Sequence, residues 1–281
     1  MKLPQRRPEV LVEPRWRSYD PIAETYARIA ERHYFAQPAA DLLSLLNPEL
    51  GAHILDVGAG TGALTTLAAQ RAGPTGIVVG LDPSWEMLQV LKRRGQPAVV
   101  VGSLPRLPFA GATFDVIAAA FVLNHVSECA AALKEMLHIL RPAGRLAVSA
   151  WASGPSNTPP GAVCQEMVKE FCSERALRSA LQEALPWEVP FTDPILLKDS
   201  LTAAGLTDVM TRQLRYSVNM DSESFLESRL ISLGLRFVHS VLPHPEWQRL
   251  RRESSRRLAE AFGPDLSFEV SVNMAVGSKP T

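Results

Sequence analysis

At 281 residues with 46% hydrophobic side chains, the chain can bury one large core, or a core with a substantial insertion. Lys+Arg and Asp+Glu balance at 29 each, so the formal net charge is zero and the basic bias of a nucleic-acid-binding protein is missing. No apolar run is long enough to span a membrane.

The cysteines Cys129, Cys164 and Cys172 have no Cys-x-x-Cys spacing, which points to reduced thiols in a cytoplasmic chain; no disulfide framework or metal site is expected. In chain order, Pro4, Pro8 and Pro14 interrupt any helix, so residues 1–18 read as a polar, mobile arm without the apolar centre of a secretory signal. Such an arm can dock on or swap with a second copy, which leaves a homo-oligomer open. Tyr19-Asp20-Pro21 opens a helix through Ile22, Ala23, Tyr26, Ile29 and Ala30, spaced to give one apolar face. A second helix is expected from Pro38 to about Leu46. Both should pack outside the sheet or across its ligand edge.

From His53 to Trp151 the pattern alternates strand and helix. The strands are expected at 53–57, 76–82, 98–101, 114–120 and 145–150. They are short, nearly continuous apolar runs, as parallel strands covered on both faces should be. The fold class is α/β, a doubly wound layer closed by right-handed crossovers. After Trp151 a Ser/Gly/Pro-rich loop leads to a helix at 161–185, and another helix at 196–204 ends on Gly205. A strand is expected at 209–218 and a long helical insertion at 222–262, broken near Pro243 and Pro245. Leu266 to Val276 suits a closing strand. The expected organisation is an arm with lid helices (1–50), a ligand-binding core (51–151), a helical cap and acceptor region with one sheet strand (152–262), and a closing C-terminal strand (263–281).

The stretch Asp56-Val57-Gly58-Ala59-Gly60-Thr61-Gly62 ends the first strand and turns into a helix, with Thr61 a candidate N-cap. Doubly wound sheets build nucleotide sites at such a turn. Gly58, Gly60 and Ala63 formally satisfy a dinucleotide fingerprint. Asp56 argues against that ligand: a carboxylate at the loop's mouth repels a pyrophosphate and attracts the ammonium and sulfonium of S-adenosylmethionine (SAM). A turn with no ligand is the plain alternative. Asp82 ends the second strand 20 residues beyond Gly62, where it can accept both ribose hydroxyls of an adenosine. It could instead cap the next helix, with Pro83 at the first helical position. Ser103 and Leu104 follow the third strand and could meet adenine, and Phe121, Val122 and Leu123 follow the fourth. His125, at the same edge, is the candidate base for an acceptor's proton, or simply a loop-bridging imidazole. His33, Tyr34, His239 and His244 are weaker candidates, and Trp151 and Trp187 could line an acceptor pocket.

Taken with Leu107-Pro108-Phe109, Phe114-Asp115, Leu123-Asn124-His125-Val126 and Leu140-Arg141-Pro142-Ala143-Gly144, these motifs resemble a class I SAM-dependent methyltransferase. The resemblance is nearest to the small-molecule group containing ubiquinone/menaquinone-biosynthesis and natural-product methyltransferases. It implies a Rossmann-like seven-stranded sheet with an antiparallel last strand and helical cap insertions. It also implies cofactor contacts from Asp56, Gly58, Ala59, Gly60, Gly62, Asp82, Pro83, Ser103, Leu104 and Phe121, with Tyr19 or Tyr26 closing over SAM. Ser103 stands where relatives usually carry an acid, and Ala143 where they often carry glycine. The activity implied is methyl transfer to an O, N or C nucleophile of a small-molecule acceptor. An NAD(P)-dependent oxidoreductase and a non-catalytic protein of the same fold are the alternatives.

Overall fold

The computed structural model describes residues 14–95 and 98–281. Of the expected arm, residues 1–13 lie outside that range. The chain enters through a turn at 14–18 and then an unbroken helical stretch. That stretch comprises a 3-10 turn (Asp20–Ile22), α1 (Ala23–Thr25), a π-helical segment (Tyr26–Phe35) and α2 (Ala36–Leu46). The two expected lid helices are therefore joined. The widened i→i+5 turns carry the chain through the gap, and such turns recur at functional sites.

The alternating region gives β1 (His53–Val57), α3 (Ala63–Ala72), β2 (Ile77–Asp82), α4 (Trp85–Arg93), β3 (Ala98–Val101), β4 (Phe114–Ala120), α5 (Cys129–Ile139) and β5 (Leu140–Ser153). Then come α6 (Pro159–Phe171), α7 (Glu174–Ala184), α8 (Pro194–Ala204), β6 (Thr207–Asp221), α9 (Ser222–Leu230), α10 (Leu233–Val241), α11 (His244–Phe262) and β7 (Asp265–Ser278). Among the described residues, seven strands form one sheet in the order β3-β2-β1-β4-β5-β7-β6. Strand β7 runs antiparallel to both neighbours, β5 and β6. This is the doubly wound, Rossmann-like sheet expected, and its order reverses between β1 and β4, where such sheets open a crevice at their carboxyl ends.

Successive strand residues feed opposite cores. Leu55, Ile117 and Leu146 meet Leu133 and Met136 of α5 and Leu197 and Leu201 of α8. Ile54, Val116 and Ala147 meet Leu42 and Leu46 of α2 and Leu64 and Ala68 of α3. Helix α2 thus lies outside the sheet, on one of its faces.

Four local expectations need correction. Thr61 does not cap α3: the N-cap is Gly62 at φ 98°, without a side-chain bond. The helix expected at 161–185 breaks at Cys172-Ser173, because Ser173 accepts the Ala176 N–H and starts α7 afresh. The long insertion breaks first at Ile231-Ser232, where Ser232 caps α10, and Pro245 sits inside the first turn of α11. Helix α8 is not part of a cap, since it packs on the sheet beside α5. The remaining helices of 152–262 build a separate layer around Cys164, Phe225 and Leu258, joined by Ile29 and Tyr34 of the π-segment and Val218 and Phe268 of the sheet. A second cluster contains Val168, Leu235, Val238, Trp247 and Leu250.

Candidate functional site

A cavity of about 50 Å³ opens at the carboxyl ends of β1 and β4. Asp56, Gly58, Ala59, Gly60 and Thr61 form one wall, and Ala120 and Phe121 another. Tyr26, Phe35 and Ala39 close it from the helical stretch. Tyr26 and Phe35 are nine residues apart, roughly two wide turns of an i→i+5 helix, so both reach the same side. Their rings stack at 5.4 Å, and Phe35 meets Phe121 at 5.0 Å and Trp151 at 5.7 Å. Glu31 on the same segment accepts a bond from the Thr61 hydroxyl.

Asp56 is the chemical centre of the cavity. It is 1% exposed, and its Oδ2 accepts the Thr65 hydroxyl at 2.6 Å. Burial pushes its carboxyl up to about 7, with the nearby charge of Asp82 adding to the effect. A cationic ligand group would relieve that penalty, and a phosphate would deepen it. Asp82 sits behind the glycine turn. Its Oδ2 accepts Gly60 N–H at 2.9 Å and its Oδ1 accepts Ser84 N–H at 2.8 Å. Burial raises it to about 6. A carboxylate has room for further donors beyond these two, such as ribose hydroxyls. Ser84, not Asp82, caps α4, so Pro83 lies before the helix and is exposed.

The glycines do different work. A side chain on Gly58 (φ 70°) would overlap Val122, and one on Gly62 would overlap Leu91 of α4. At Gly60 no such neighbour stands in the way. Gly62 thus serves the packing of α3 on α4 and does not line the cavity. Ser103 is exposed and bridges Arg106, and Leu104 packs into the core under α5 and α8, so neither lines the cavity. Exposed serine next to a turn is legible as an edge, but nothing in the local sequence tells which way Leu104 points.

A second group of side chains meets this cavity at Tyr26. Tyr19 stands edge-on to Tyr26 at 6.2 Å and to His125 at 5.8 Å. His125 presents accessible surface there, yet desolvation by the surrounding protein and the charge of Arg236 push its imidazole to about 4. The Arg236 guanidinium lies 4.7 Å from the centre of the Tyr19 ring. It donates to the carbonyl oxygens of Ser18 and, at 3.3 Å, Arg17. Residues 14–18 are thereby clasped to α10, which corrects the expectation of a mobile arm for that part. Asp20 fastens the other side, accepting the Ser84 hydroxyl at 2.6 Å. Phe35, Arg236 and Glu188 carry no local motif and were not among the expected site residues, and Asn124 lies in the Leu123-Asn124-His125-Val126 motif but was not singled out. His33, His239 and His244 lie outside both groups, and Tyr34 is buried, bonding Ser228 at 3.0 Å.

The β3-β2-β1-β4-β5-β7-β6 sheet, the glycine turn and a buried carboxylate that favours a cation define a SAM-dependent methyltransferase. Comparison with known proteins agrees. Residues 55–148 match the family described as Methyltransferase domain. The chain is 31% identical over 228 residues to nocamycin O-methyltransferase of Saccharothrix syringae, covering 76% of this chain and 79% of the relative. It is 34% identical over 139 residues to a demethylmenaquinone methyltransferase of Anoxybacillus flavithermus, 46% of this chain and 59% of that one. A phosphoethanolamine N-methyltransferase 2 of Haemonchus contortus, solved with SAM, shares the fold at a TM-score of 0.56 and 16% identity, over 93% of this chain and 57% of that one. The chain belongs to the SAM-dependent methyltransferase family, which sets aside the oxidoreductase alternative. Among the described residues no helix is long and apolar enough to cross a membrane.

Proposed function

We propose that this enzyme methylates a small, partly apolar molecule held in the recess between Tyr19, His125 and the helical layer. The observation that carries this reading is a juxtaposition. The cavity lined by the buried Asp56 carboxylate meets, through Tyr26, an aromatic cluster of Tyr19 and His125. SAM supplies an electrophilic methyl group on a sulfonium, and the protein supplies alignment and exclusion of water. In this reading Asp56 takes the ammonium group, with the main chain of Gly58, Ala59 and Gly60 beside it. Asp82 takes the ribose hydroxyls, and Tyr26, Phe35 and Phe121 pack on the ligand. Ser103 and Leu104 form the adenine edge only through their backbone, and Pro83 and Gly62 act through the turns they shape. Tyr19 closes the passage between cofactor and acceptor. His125, uncharged above about pH 4, accepts a hydrogen bond from the acceptor.

The nocamycin O-methyltransferase relative supports an oxygen nucleophile, and the demethylmenaquinone methyltransferases support a quinone-type acceptor. The free cysteines, two of them buried, support action in the cytoplasm. The domain reading is a lid (1–50), a cofactor core (51–151), a cap built from the helices of 152–262 other than α8, and a closing strand (263–281). Thermal unfolding with SAM, S-adenosylhomocysteine and NADH tests the cofactor site. Saturation at a hundred times Kd stabilises by about 2.7 kcal/mol. A shift with the two adenosyl compounds and none with NADH is expected, and Asp56→Ala should abolish it. An equal shift in wild type and Asp56→Ala would overturn the assignment of Asp56.

A further inference from the structure

Beside His125 a carboxylate is built into the recess by residues remote in sequence. Asn124 follows β4 and is 5% exposed. Its Nδ2 donates to Glu188 Oε2 at 2.5 Å. The other oxygen of Glu188 has no hydrogen bond to any described residue, and the carboxylate is close enough to Tyr19 to add to the upward push that burial gives its hydroxyl. The loop carrying Glu188 is pinned on both sides. Trp187 stacks on Phe191 at 5.3 Å and donates from Nε1 to the Ser127 carbonyl at 3.5 Å. Asn273, fully buried in β7, donates to the carbonyls of Phe191 at 3.0 Å and Thr192 at 2.9 Å. A fully buried asparagine spent on two loop carbonyls fixes where Glu188 stands.

We propose that Glu188 takes the proton of a hydroxyl group on the acceptor, with Asn124 as its positioning residue. The inference rests on the recess being the acceptor site. The acceptor's O–H proton passes to Glu188 Oε1 as the oxygen lone pair bonds the methyl carbon. The carbon–sulfur bond breaks with its electron pair staying on sulfur, which leaves the neutral thioether, S-adenosylhomocysteine. Glu188 is only partly buried, so the proton can return to solvent once product leaves. Its rival in the recess is poorly suited: an imidazole at about 4 holds a proton weakly. Burial raises the Glu188 carboxyl, against the lowering effects of the Asn124 bond and the Arg229 charge. Tyr19, the other titratable group facing it, is held neutral by burial up to about 12. Transfer should therefore rise with pH as Glu188 ionises.

The test uses the full chain, loaded with S-adenosylhomocysteine, and two probes of one shape: 2-naphthol and 2-methoxynaphthalene. The second has no proton to give. In calorimetry, Glu188→Gln should weaken 2-naphthol about tenfold or more, leaving 2-methoxynaphthalene and S-adenosylhomocysteine within about twofold, the loss of one charge-assisted bond. In transfer of labelled methyl from SAM to 2-naphthol, Glu188→Gln should lose about 10²–10⁴-fold in kcat and its rise with pH, and Glu188→Asp should regain part of both. Equal 2-naphthol affinity in wild type and Glu188→Gln, or an unchanged pH profile, would overturn the proposal. Binding of S-adenosylhomocysteine without either naphthalene would overturn the acceptor recess and the proposal with it. Failure of wild type to bind S-adenosylhomocysteine would instead strike the cofactor assignment.

Discussion

Replacing Gly58 with alanine separates two reasons for a glycine in the turn. One reason is room for a ligand, and the other is room for Val122. The structure favours the second: an added Cβ would overlap one Val122 methyl and lie 3.4 Å from the Cβ and the other methyl. The residue also holds φ 70°, where alanine costs about 1–2 kcal/mol. Forcing the overlap adds about 1–3 kcal/mol. Gly58→Ala should therefore destabilise by about 2–5 kcal/mol, or about 5–15 °C in Tm for a chain of this size. Val122→Ala alone should cost about 1–2 kcal/mol. In the double variant the overlap disappears, so the two changes should couple favourably by about 1–3 kcal/mol in a double-mutant cycle. Chemical denaturation of the four proteins measures this, with S-adenosylhomocysteine binding as a check that the cavity survives. Additive losses in the double variant would refute the reasoning and return Gly58 to the ligand.

Two further outcomes are expected. Burial pushes Asp56 up to about 7 and Asp82 up to about 6 in the folded state, above the ordinary carboxylate value of 3.8, so the folded state holds their protons more tightly. Their contribution favours the fold below about pH 4 and is lost as pH rises towards 7, so the ligand-free Tm should fall over that interval. Asp56→Asn should flatten the fall, and an unchanged Tm profile in that variant would contradict the assignment. Arg236→Met removes the clasp on the Arg17 and Ser18 carbonyls. Tryptic cleavage after Arg15 and Arg17 should quicken about tenfold for each ~1.4 kcal/mol of clasp lost, and cleavage at the wild-type rate would show that Arg236 does not hold the segment.

What was readable in the sequence was what short-range pattern controls. Strands β1, β3 and β4 begin and end where their apolar runs do; β1 and β4 are covered on both faces, whereas β3, at the sheet's edge, is exposed at both ends. Strand β5 runs longer than its apolar run, from Leu140 to Ser153. Pairing with β7 holds it out to Ser153, and the extra residues at its start precede that pairing. Asp56, Gly60 and Phe121 reach the cavity from positions next to strand ends, which spacing can predict. Phe35 reaches it only because the helix widens, and Glu188 meets Asn124 only because its loop is pinned by Asn273 from β7. Helix α8 reads as one more amphipathic segment after residue 152. Its place on the sheet depends on Leu197 and Leu201 finding α5 and β5, a contact no spacing encodes.

The position of β7 bears on how the enzyme is made. It lies between β5 and β6 and pairs with both, yet it is the last strand in the chain. During synthesis, β6 has no neighbour to join until residues 265–278 have emerged, and β5 keeps an open edge. The N-terminal strands can assemble first, as nascent chains generally do. The outer third of the sheet must wait until β7 has been made. A ribosome stalled before Asp265 would carry two unsatisfied strand edges, the kind of surface on which nascent chains aggregate or recruit a chaperone.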